Sequence, residues 1–323
     1  MTDYPNIKEI REASKRIAPF VHLTPVMTSE TINRLCGAQV FLKCENFQKV
    51  GAFKARGAVN AVYSLEKKYI ENGVATHSSG NHAAALAYAA RCRGIKAYVV
   101  MPNNAPPVKK AAVAGYGAEI IYCEPNQQAR ESALAGVVER TGAAFIHPYN
   151  NHLVIAGQAT AALELFEQVP VLDTIIAPVG GGGLLSGTAL TSAAVKPSTT
   201  VLGAEPERAD DAFRSLQEGS IIPAGSPDTI ADGLRTSLGD LTFPIIYEYV
   251  SAIITVSEEA IIEAMRLVWE RMKIIIEPSA AVPFAVLLEK GSSIRGKKIG
   301  LIVSGGNVDL DKLPWLNKMG DIK

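Results

Sequence analysis

The feature of this sequence that best indicates its chemistry is an uninterrupted run of four glycines, Gly180, Gly181, Gly182 and Gly183. An apolar stretch at 174–179, typical of a buried strand, precedes them, and residues 184–190 are typical of a helix start. Because glycine has no Cβ, adjacent glycines let several backbone N–H groups approach one small group. A helix N-terminus behind them adds the positive end of its dipole. The pattern predicts an anion site, most often for phosphate; a glycine-rich turn is the alternative.

The residues around the glycines exclude two common kinds of phosphate site. No lysine followed by serine or threonine comes after them, so a P-loop is not predicted. The dinucleotide fingerprint Gly-x-Gly-x-x-Gly also fails, because Leu185 or Ser186 stands where its third glycine would be. We therefore expect the backbone alone to hold the phosphate of a cofactor that another group anchors elsewhere.

Lys54 is the first candidate for that other group. It lies among small residues at the start of a predicted helix, after an apolar run at 39–43. The helix dipole and burial both disfavour an ammonium at this place, and a neutral lysine amine is a nucleophile. The alternative is an ordinary surface lysine. Its neighbours Lys49 and Arg56 are expected to be solvated charges.

Two more loops carry polar groups directly after predicted strands. One combines hydroxyls, an amide and backbone donors at a helix start, and its residues are Ser78, Ser79, Gly80, Asn81 and His82. Such a loop can hold a carboxylate or present a proton donor, although a helix cap is an equal alternative. The other loop begins with Ser304 after the strand 298–303, where a tight turn is the alternative.

Carboxylates are concentrated in a fifth stretch, which begins with Glu205 and ends with Asp211. Carboxylate and carbonyl oxygens suit a hard divalent cation such as Mg²⁺ or Ca²⁺. Acidic residues are also common in the first turn of a solvated helix. The residues alone favour this second interpretation.

The elements that must position these loops alternate between strand and helix. Apolar runs predict strands at 39–43, 96–101, 118–122, 174–179, 199–204 and 298–303. Helical patterns fall at 82–93, 126–141 and 257–272. This alternation predicts an α/β fold with parallel sheets. In such sheets, ligands bind beyond the carboxyl ends of the strands, where these loops lie.

Composition limits the class of protein. The 323 residues predict two lobes rather than one core. Lys plus Arg and Asp plus Glu are 32 each, which argues against nucleic acid or an anionic membrane as a partner. The four cysteines have no Cys-x-x-Cys spacing, so neither a zinc site nor a disulfide framework is predicted. With no signal peptide visible, a cytoplasmic location is expected.

Four motifs together resemble one family, the serine and threonine dehydratases of the fold-type II pyridoxal phosphate enzymes. They are the segments 53–57, 78–82, 180–183 and 304–307, and the resemblance covers nearly the whole chain. It implies the tryptophan synthase β-like fold, in which two open parallel-sheet lobes carry helices on both faces. The large cofactor-binding domain would be 1–70 and 150–323, and the small mobile domain 71–149.

The resemblance also assigns roles by position. Lys54 would hold pyridoxal 5'-phosphate as a Schiff base, and Ser79 would be a second catalytic residue. The cofactor-binding residues would be Phe53, Lys54, Asn81, Gly180, Gly181, Gly182, Gly183, Leu184, Gly233 and Ser304. The substrate-binding residues would be Ser78, Ser79, Asn81, His82 and Arg130. The ligands of Mg²⁺, or of Mn²⁺ or Ca²⁺, would be Glu205, the Ala209 carbonyl and Asp211.

The reaction that the resemblance implies is racemisation of serine, with β-elimination of serine to pyruvate and ammonia. Bound pyridoxal phosphate makes the Cα–H of an amino acid acidic. Lys54 would take that proton from one face, and Ser79 would serve the other. Related threonine dehydratases commonly carry alanine at this second position. The alternative is a dehydratase for threonine, serine or 3-hydroxyaspartate with little racemisation.

Two further expectations concern partners and effectors. The family implies a homodimer that acts on a small amino acid. Some related racemases are activated by ATP, and Ser29, Lys49 and Lys273 match positions of that pocket. Val50 and Tyr149 depart from the polar residues expected there, which argues against ATP as an effector.

Overall fold

The computed structural model describes residues 4–105, 107–291, 294 and 298–316. The strands are β1 Val26–Met27, β2 Gln39–Cys44, β3 Val74–His77, β4 Ala97–Pro102, β5 Glu119–Cys123, β6 Ala144–Phe145, β7 Thr174–Pro178, β8 Thr200–Pro206, β9 Ala252–Val256 and β10 Lys298–Val303. The helices are α1 Ile7–Ile17, α2 Glu30–Cys36, α3 Lys54–Tyr63, α4 Lys67–Asn72, α5 Asn81–Arg93, α6 Pro107–Gly115, α7 Gln127–Thr141, α8 His152–Gln168, α9 Gly183–Val195, α10 Asp211–Glu218, α11 Thr242–Tyr249, α12 Glu258–Met272 and α13 Pro278–Lys290.

The strands form two sheets. Six of them pair in the order β1-β2-β10-β7-β8-β9, and the other four in the order β5-β4-β3-β6. Every pairing is parallel except that of β1 with β2. Because β2, β10 and β7 are neighbours, the loops that follow their carboxyl ends meet at one edge of the larger sheet.

Alternating side chains bury both faces of the larger sheet. Ile176, Leu202 and Leu301 pack on one face against residues of α12 and α13. Ile175 and Val201, each one residue away, pack on the other face in a cluster with residues of α8 and α9. A side-chain period of two explains this division. It also explains why the strands read as continuous apolar runs.

A buried ion cluster ties α3 to β2 and α8. The guanidinium of Arg56 contacts Glu45 and Glu164 at 2.7 Å each, and Lys43 contacts Glu164 at 2.6 Å. Arg56 and Lys43 have no exposed surface. The expectation that Arg56 is a solvated charge is therefore wrong. The carboxylates that compensate it are 11 and 108 positions away, and local composition does not reveal that the fold buries them beside Arg56.

The strands and helices agree with the sequence expectations, apart from small shifts of their ends. All six of these predicted strands and all three predicted helices are present, and the α/β fold with two parallel-sheet lobes is confirmed. The short β1 and β6 and the strand β9 were missed. The smaller sheet spans 74–145, and the division into domains remains a prediction whose outermost residues, 1–3 and 317–323, lie outside the described residues.

No described helix has both the length and the apolar character needed to cross a membrane. The apolar window at 174–195 instead divides into β7, the glycines and α9. All four cysteines lie in the described part of the chain, and no disulfide joins them.

Candidate active site

A cavity of about 1200 Å³ is lined by loops that follow strands of both sheets. Loops after β2, β7 and β10 supply one side, and the loop after β3 supplies the other. Every residue predicted to bind cofactor or substrate lines this cavity: Phe53, Lys54, Ser78, Ser79, Asn81, His82, Arg130, Gly180, Gly181, Gly182, Gly183, Leu184, Gly233 and Ser304. Residues as far apart in sequence as Phe53 and Ser304 thus meet at one place.

Lys54 is the first residue of α3, and its side chain is half-buried at the cavity wall. Its Nζ donates a hydrogen bond to the carbonyl oxygen of Pro148 at 2.9 Å. Burial lowers the pKa of Lys54 to about 8, and the nearby charge of Glu277 opposes the shift. A substantial neutral fraction is therefore available near neutral pH, as nucleophilic or proton-accepting chemistry requires.

The glycines form a backbone cradle at the start of α9. Gly182 has a left-handed φ of 88°, which an L side chain rarely adopts. A Cβ on Gly181 would lie 2.3 Å from the ring of Tyr149, so no side chain fits there. The hydroxyl of Thr242 donates to the carbonyl of Gly181 at 2.8 Å and fixes the loop. Because the cradle has no side chains, it offers the cavity its backbone N–H groups and the positive end of the helix dipole. This arrangement fits a phosphate.

Ser304 is joined directly to the segment that carries Lys54. It is 3% exposed at the end of β10, and its carbonyl accepts the backbone N–H of Phe53 at 3.0 Å. The ring of Phe53 lies 5.1 Å from the Nζ of Lys54. Gly233, on a third loop, donates its N–H to Ser279 at 3.1 Å. The lysine can form a Schiff base with pyridoxal phosphate, the glycine cradle can hold its phosphate, and the hydroxyl of Ser304 and the ring of Phe53 can contact its ring, so these residues fit that cofactor.

The loop after β3 brings polar groups from the smaller sheet. The N–H of Gly80 donates to the Ser78 hydroxyl at 3.3 Å. His82 is buried, and its Nε2 lies 3.2 Å from the carbonyl of Ile146. Burial, reinforced by the charge of Lys54, holds the pKa of His82 well below its usual range. His82 is therefore neutral and adds no positive charge for a carboxylate. Arg130 is a cation of the outer wall, on α7.

Glu277 is a cavity residue that sequence reasoning missed. Its carboxylate accepts the amide of Asn81 at 2.9 and 3.2 Å and the backbone N–H of Asn307 at 3.1 Å. Burial raises the pKa of Glu277 to about 7, with a further contribution from Asp232. The only local signal is a single acidic residue after an apolar run and before Pro278. That pattern is also typical of an ordinary helix start.

An aromatic row on the cavity wall was also missed. Successive rings of Phe145, His147 and Tyr149 contact edge to face, with centroids 5.7 and 4.6 Å apart. Burial and the nearby His77 lower the pKa of His147 to about 4, so this ring is neutral. Alternate residues of one extended segment point the same way, which is the period-two signal that could have revealed the row.

Glu205 and Asp211 lie apart from the cavity lining. Glu205, at the end of β8, accepts the backbone N–H groups of Ala212 and Phe213 at 2.9 and 2.8 Å. Both carboxylate oxygens of Asp211 are buried without a hydrogen-bond partner. Burial raises the pKa of Glu205 to about 9 and that of Asp211 to about 7. Ala209 is buried beside them. In the described part of the chain, no three His, Cys, Asp or Glu side chains form a metal-binding group.

Comparison with known proteins extends the resemblance over nearly the whole chain. Residues 17–305 match the family described as pyridoxal-phosphate dependent enzyme. The chain is 52% identical to a beta-hydroxyaspartate dehydratase of Paracoccus denitrificans, covering 96% of this chain and 99% of the relative. It is also 52% identical to the serine racemase of Dictyostelium discoideum, over 95% and 96%. The structure of maize serine racemase superposes with a TM-score of 0.94 at 49% identity, over 98% of this chain and 97% of the maize chain.

Proposed function

The chain belongs to the pyridoxal-phosphate-dependent enzymes, and we propose that it racemises serine and also converts serine to pyruvate and ammonia. The observation that carries this proposal is the meeting of Lys54 and Ser79 at one cavity, Lys54 from the start of α3 after the larger sheet's β2 and Ser79 from the loop after the smaller sheet's β3. Racemisation needs one proton-transferring group on each face of Cα, and these two groups reach the cavity from different walls. Identity near 50% to serine racemases supports the same reaction.

The residues that line the cavity would have separate roles in binding the cofactor and in transferring protons. When bound, pyridoxal phosphate draws electrons from Cα of an attached amino acid and makes its Cα–H acidic. The glycine cradle and Leu184 would bind the phosphate, and Ser304 would contact the ring nitrogen. Lys54 would hold the cofactor and then carry the proton on one side of Cα. Ser79 would exchange a proton on the other side.

The substrate would be a small amino acid whose carboxylate is held by the loop of Ser78, Ser79, Asn81 and His82. Backbone and hydroxyl donors at the start of α5 suit a carboxylate, because the helix dipole also favours an anion there. Since His82 is neutral, its contribution would be a hydrogen bond rather than charge. Closure of the small domain 71–149 would bring Arg130 nearer and exclude water.

A second candidate function is dehydration of 3-hydroxyaspartate. The relative from Paracoccus denitrificans supports it, and so does the cation Arg130 on the cavity wall, where a second carboxylate would be accommodated. Lys109 also lines the cavity, but it pairs with Asp232. Threonine is a third possible substrate of the same elimination chemistry.

Chiral analysis of the products tests these proposals. Purified protein loaded with pyridoxal phosphate would be given L-serine, D-serine, L-threonine and 3-hydroxyaspartate separately. We expect L-serine to yield both D-serine and pyruvate. Pyruvate without any D-serine would contradict the racemase. Rapid elimination from 3-hydroxyaspartate together with slow turnover of serine would favour the second candidate.

We also propose a divalent cation, Mg²⁺ or alternatively Mn²⁺ or Ca²⁺, at Glu205, Asp211 and the Ala209 carbonyl. The buried and unpartnered oxygens of Asp211 support it, because an ion would supply the charge that these acceptors otherwise lack. Water would have to complete the coordination, since only two carboxylates are present. Glu205 lies near the carboxyl end of β8, which pairs with the strand β7 that precedes the glycines, so an ion here would stabilise this end of the larger sheet.

Removal of the metal is expected to lower the melting temperature by several degrees, because two buried carboxylates would lose their counter-charge. A change of ~1–2 kcal/mol corresponds to roughly 2–8 °C for a protein of this size. Thermal unfolding would be followed with Mg²⁺ and with excess chelator. Asp211→Asn should abolish the difference between the two conditions, and Asp228→Asn, on an exposed carboxylate, should preserve it. If the wild-type protein has the same melting temperature with Mg²⁺ and with excess chelator, the metal would be excluded.

A homodimer in the cytoplasm is the remaining part of the proposal. The absence of disulfides among the four cysteines agrees with a reducing compartment. ATP is not proposed as an effector, because Val50 and Tyr149 replace the polar residues expected in its pocket. Tyr149 instead packs on the glycine cradle.

A further inference from the structure

Asn307 connects three parts of the candidate site through one amide group. Its Nδ2 donates to the carbonyl of Val50 at 2.7 Å and to the Oδ1 of Asn81 at 2.9 Å. Its backbone N–H donates to Glu277 at 3.1 Å. Asn307 follows β10 and Asn81 begins α5, so this amide joins the larger sheet to the loop of the smaller one. The roles assigned so far leave Asn307 without one.

The hydrogen bonds fix which way each amide points. The carbonyl of Val50 can only accept, so Asn307 must turn its NH₂ group towards it. The second N–H of that group then faces Asn81, so the side-chain oxygen of Asn81 must accept this hydrogen bond. The nitrogen of Asn81 is left to face Glu277, and a carboxylate accepts it. Turning either amide by 180° would bring two acceptors or two donors together.

The backbone around Val50 is shaped to start this chain of bonds. Val50 has a left-handed φ of 57°, which is rare for a β-branched residue, and Gly51 follows with a φ of 69°. A Cβ on Gly51 would lie 2.6 Å from the Oδ1 of Asn307. The turn therefore aims a carbonyl at Asn307 and leaves room for its amide. Unfavourable backbone angles that persist in a structure often belong to a functional site.

We infer that Asn307 is a positioning residue for the cofactor: it fixes the amide of Asn81 so that Asn81 presents an N–H donor, and not an acceptor, to the ring oxygen of pyridoxal phosphate. The inference rests on the proposed function, which assigns Asn81 to that ring. An amide nitrogen carries two N–H groups, so Glu277 can take one and a ligand in the cavity the other. Glu277 holds the same orientation from the opposite side.

Two variants of Asn307 separate this role from others. Asn307→Asp keeps the shape but cannot donate from its side chain, and Asn307→Ala removes the donor without adding charge. For both we expect roughly tenfold weaker binding of pyridoxal phosphate, the change that ~1.4 kcal/mol would give for one lost charge-assisted contact. We also expect a shifted absorption maximum of the bound cofactor with a changed pH dependence, because the hydrogen bond to its ring oxygen is altered.

The matched control is Asn46→Asp. Asn46 also donates its amide to a backbone carbonyl, that of Ile275 at 3.1 Å, but its side chain does not line the cavity. This variant should keep the wild-type affinity and spectrum. Titration with pyridoxal phosphate, visible spectra from pH 6 to 9 and thermal unfolding of the cofactor-free proteins would be measured for all four.

The outcomes separate the inference from the proposed function. A wild-type protein that binds no pyridoxal phosphate overturns both. If the wild type binds and both Asn307 variants match it in affinity and spectrum, the inference alone is overturned. It is likewise overturned if only Asn307→Asp departs from wild type, since added charge would then explain the effect. Weaker binding and the same spectral shift in both Asn307 variants, with Asn46→Asp unchanged, would support it.

Discussion

Lys54→Ala is expected to lose the covalent colour of the cofactor and to slow both racemisation and elimination by roughly 10³-fold or more. The loss combines two functions of one amine, because Lys54 would hold the cofactor and also transfer the proton at Cα, and general-base catalysis alone contributes about 10²–10⁴-fold. The structure gives the physical reason for this chemistry. Burial lowers the pKa of Lys54 to about 8, so a useful fraction is neutral.

The measurement is borohydride trapping followed by mass spectrometry of the labelled peptide, together with initial rates of D-serine and pyruvate formation. Lys54→Arg is a companion variant that keeps the positive charge but cannot act as a base at neutral pH. Both variants should fail to trap the cofactor. Lys49→Ala is the matched control, because Lys49 is five positions away and does not line the cavity. Trapping of the label on Lys54→Ala would show that another lysine holds the cofactor.

Much of the fold followed from local pattern. Continuous apolar runs such as 174–179 and 298–303 are typical of strands that are buried on both faces, and both proved to be neighbours in one parallel sheet. The carboxyl-end rule then gathered their loops at one edge. The weak strands β1, β6 and β9 were missed because two to five residues of mixed composition carry little periodicity.

The candidate site was predictable where the type of a residue and its immediate neighbours in sequence indicate its function. A glycine run predicts a phosphate site, and a lysine among small residues at a helix start predicts a nucleophilic amine. Glu277 and Asn307 do not, because their roles depend on bonds to residues about 200 or more positions away. Arg56 fails for a related reason: a charge that is compensated by Glu45 and Glu164 inside the protein has the same local sequence as a solvated one, although these partners are only 11 and 108 positions away.

Ser79 is the residue that should separate the two reactions. Ser79→Ala is expected to lower the formation of D-serine from L-serine by roughly 10²–10⁴-fold, the usual contribution of one proton-transferring group. Formation of pyruvate should persist, because Lys54 and the cofactor cradle are unchanged. Chiral chromatography of serine and an enzymatic assay of pyruvate would be run on the same samples, and visible spectra would verify that the variant binds the cofactor.

Ser78→Ala is the matched control, since it removes a neighbouring hydroxyl that accepts the N–H of Gly80 within the same loop. If Ser78 helps to hold the carboxylate, its loss should raise KM for racemisation and elimination together and leave their ratio near that of the wild type. A fall of both products in equal proportion in Ser79→Ala would assign Ser79 to binding instead of proton transfer.

Exchange of the Cα hydrogen with deuterium from the solvent makes the test specific for one face. In the wild type, both enantiomers of serine should exchange. In Ser79→Ala, only the enantiomer whose Cα–H faces Lys54 should still exchange, because the other has lost its partner. Exchange of both enantiomers would mean that another group serves the second face. His82 and His147 are the nearby candidates, because both border the cavity and a neutral imidazole can accept a proton.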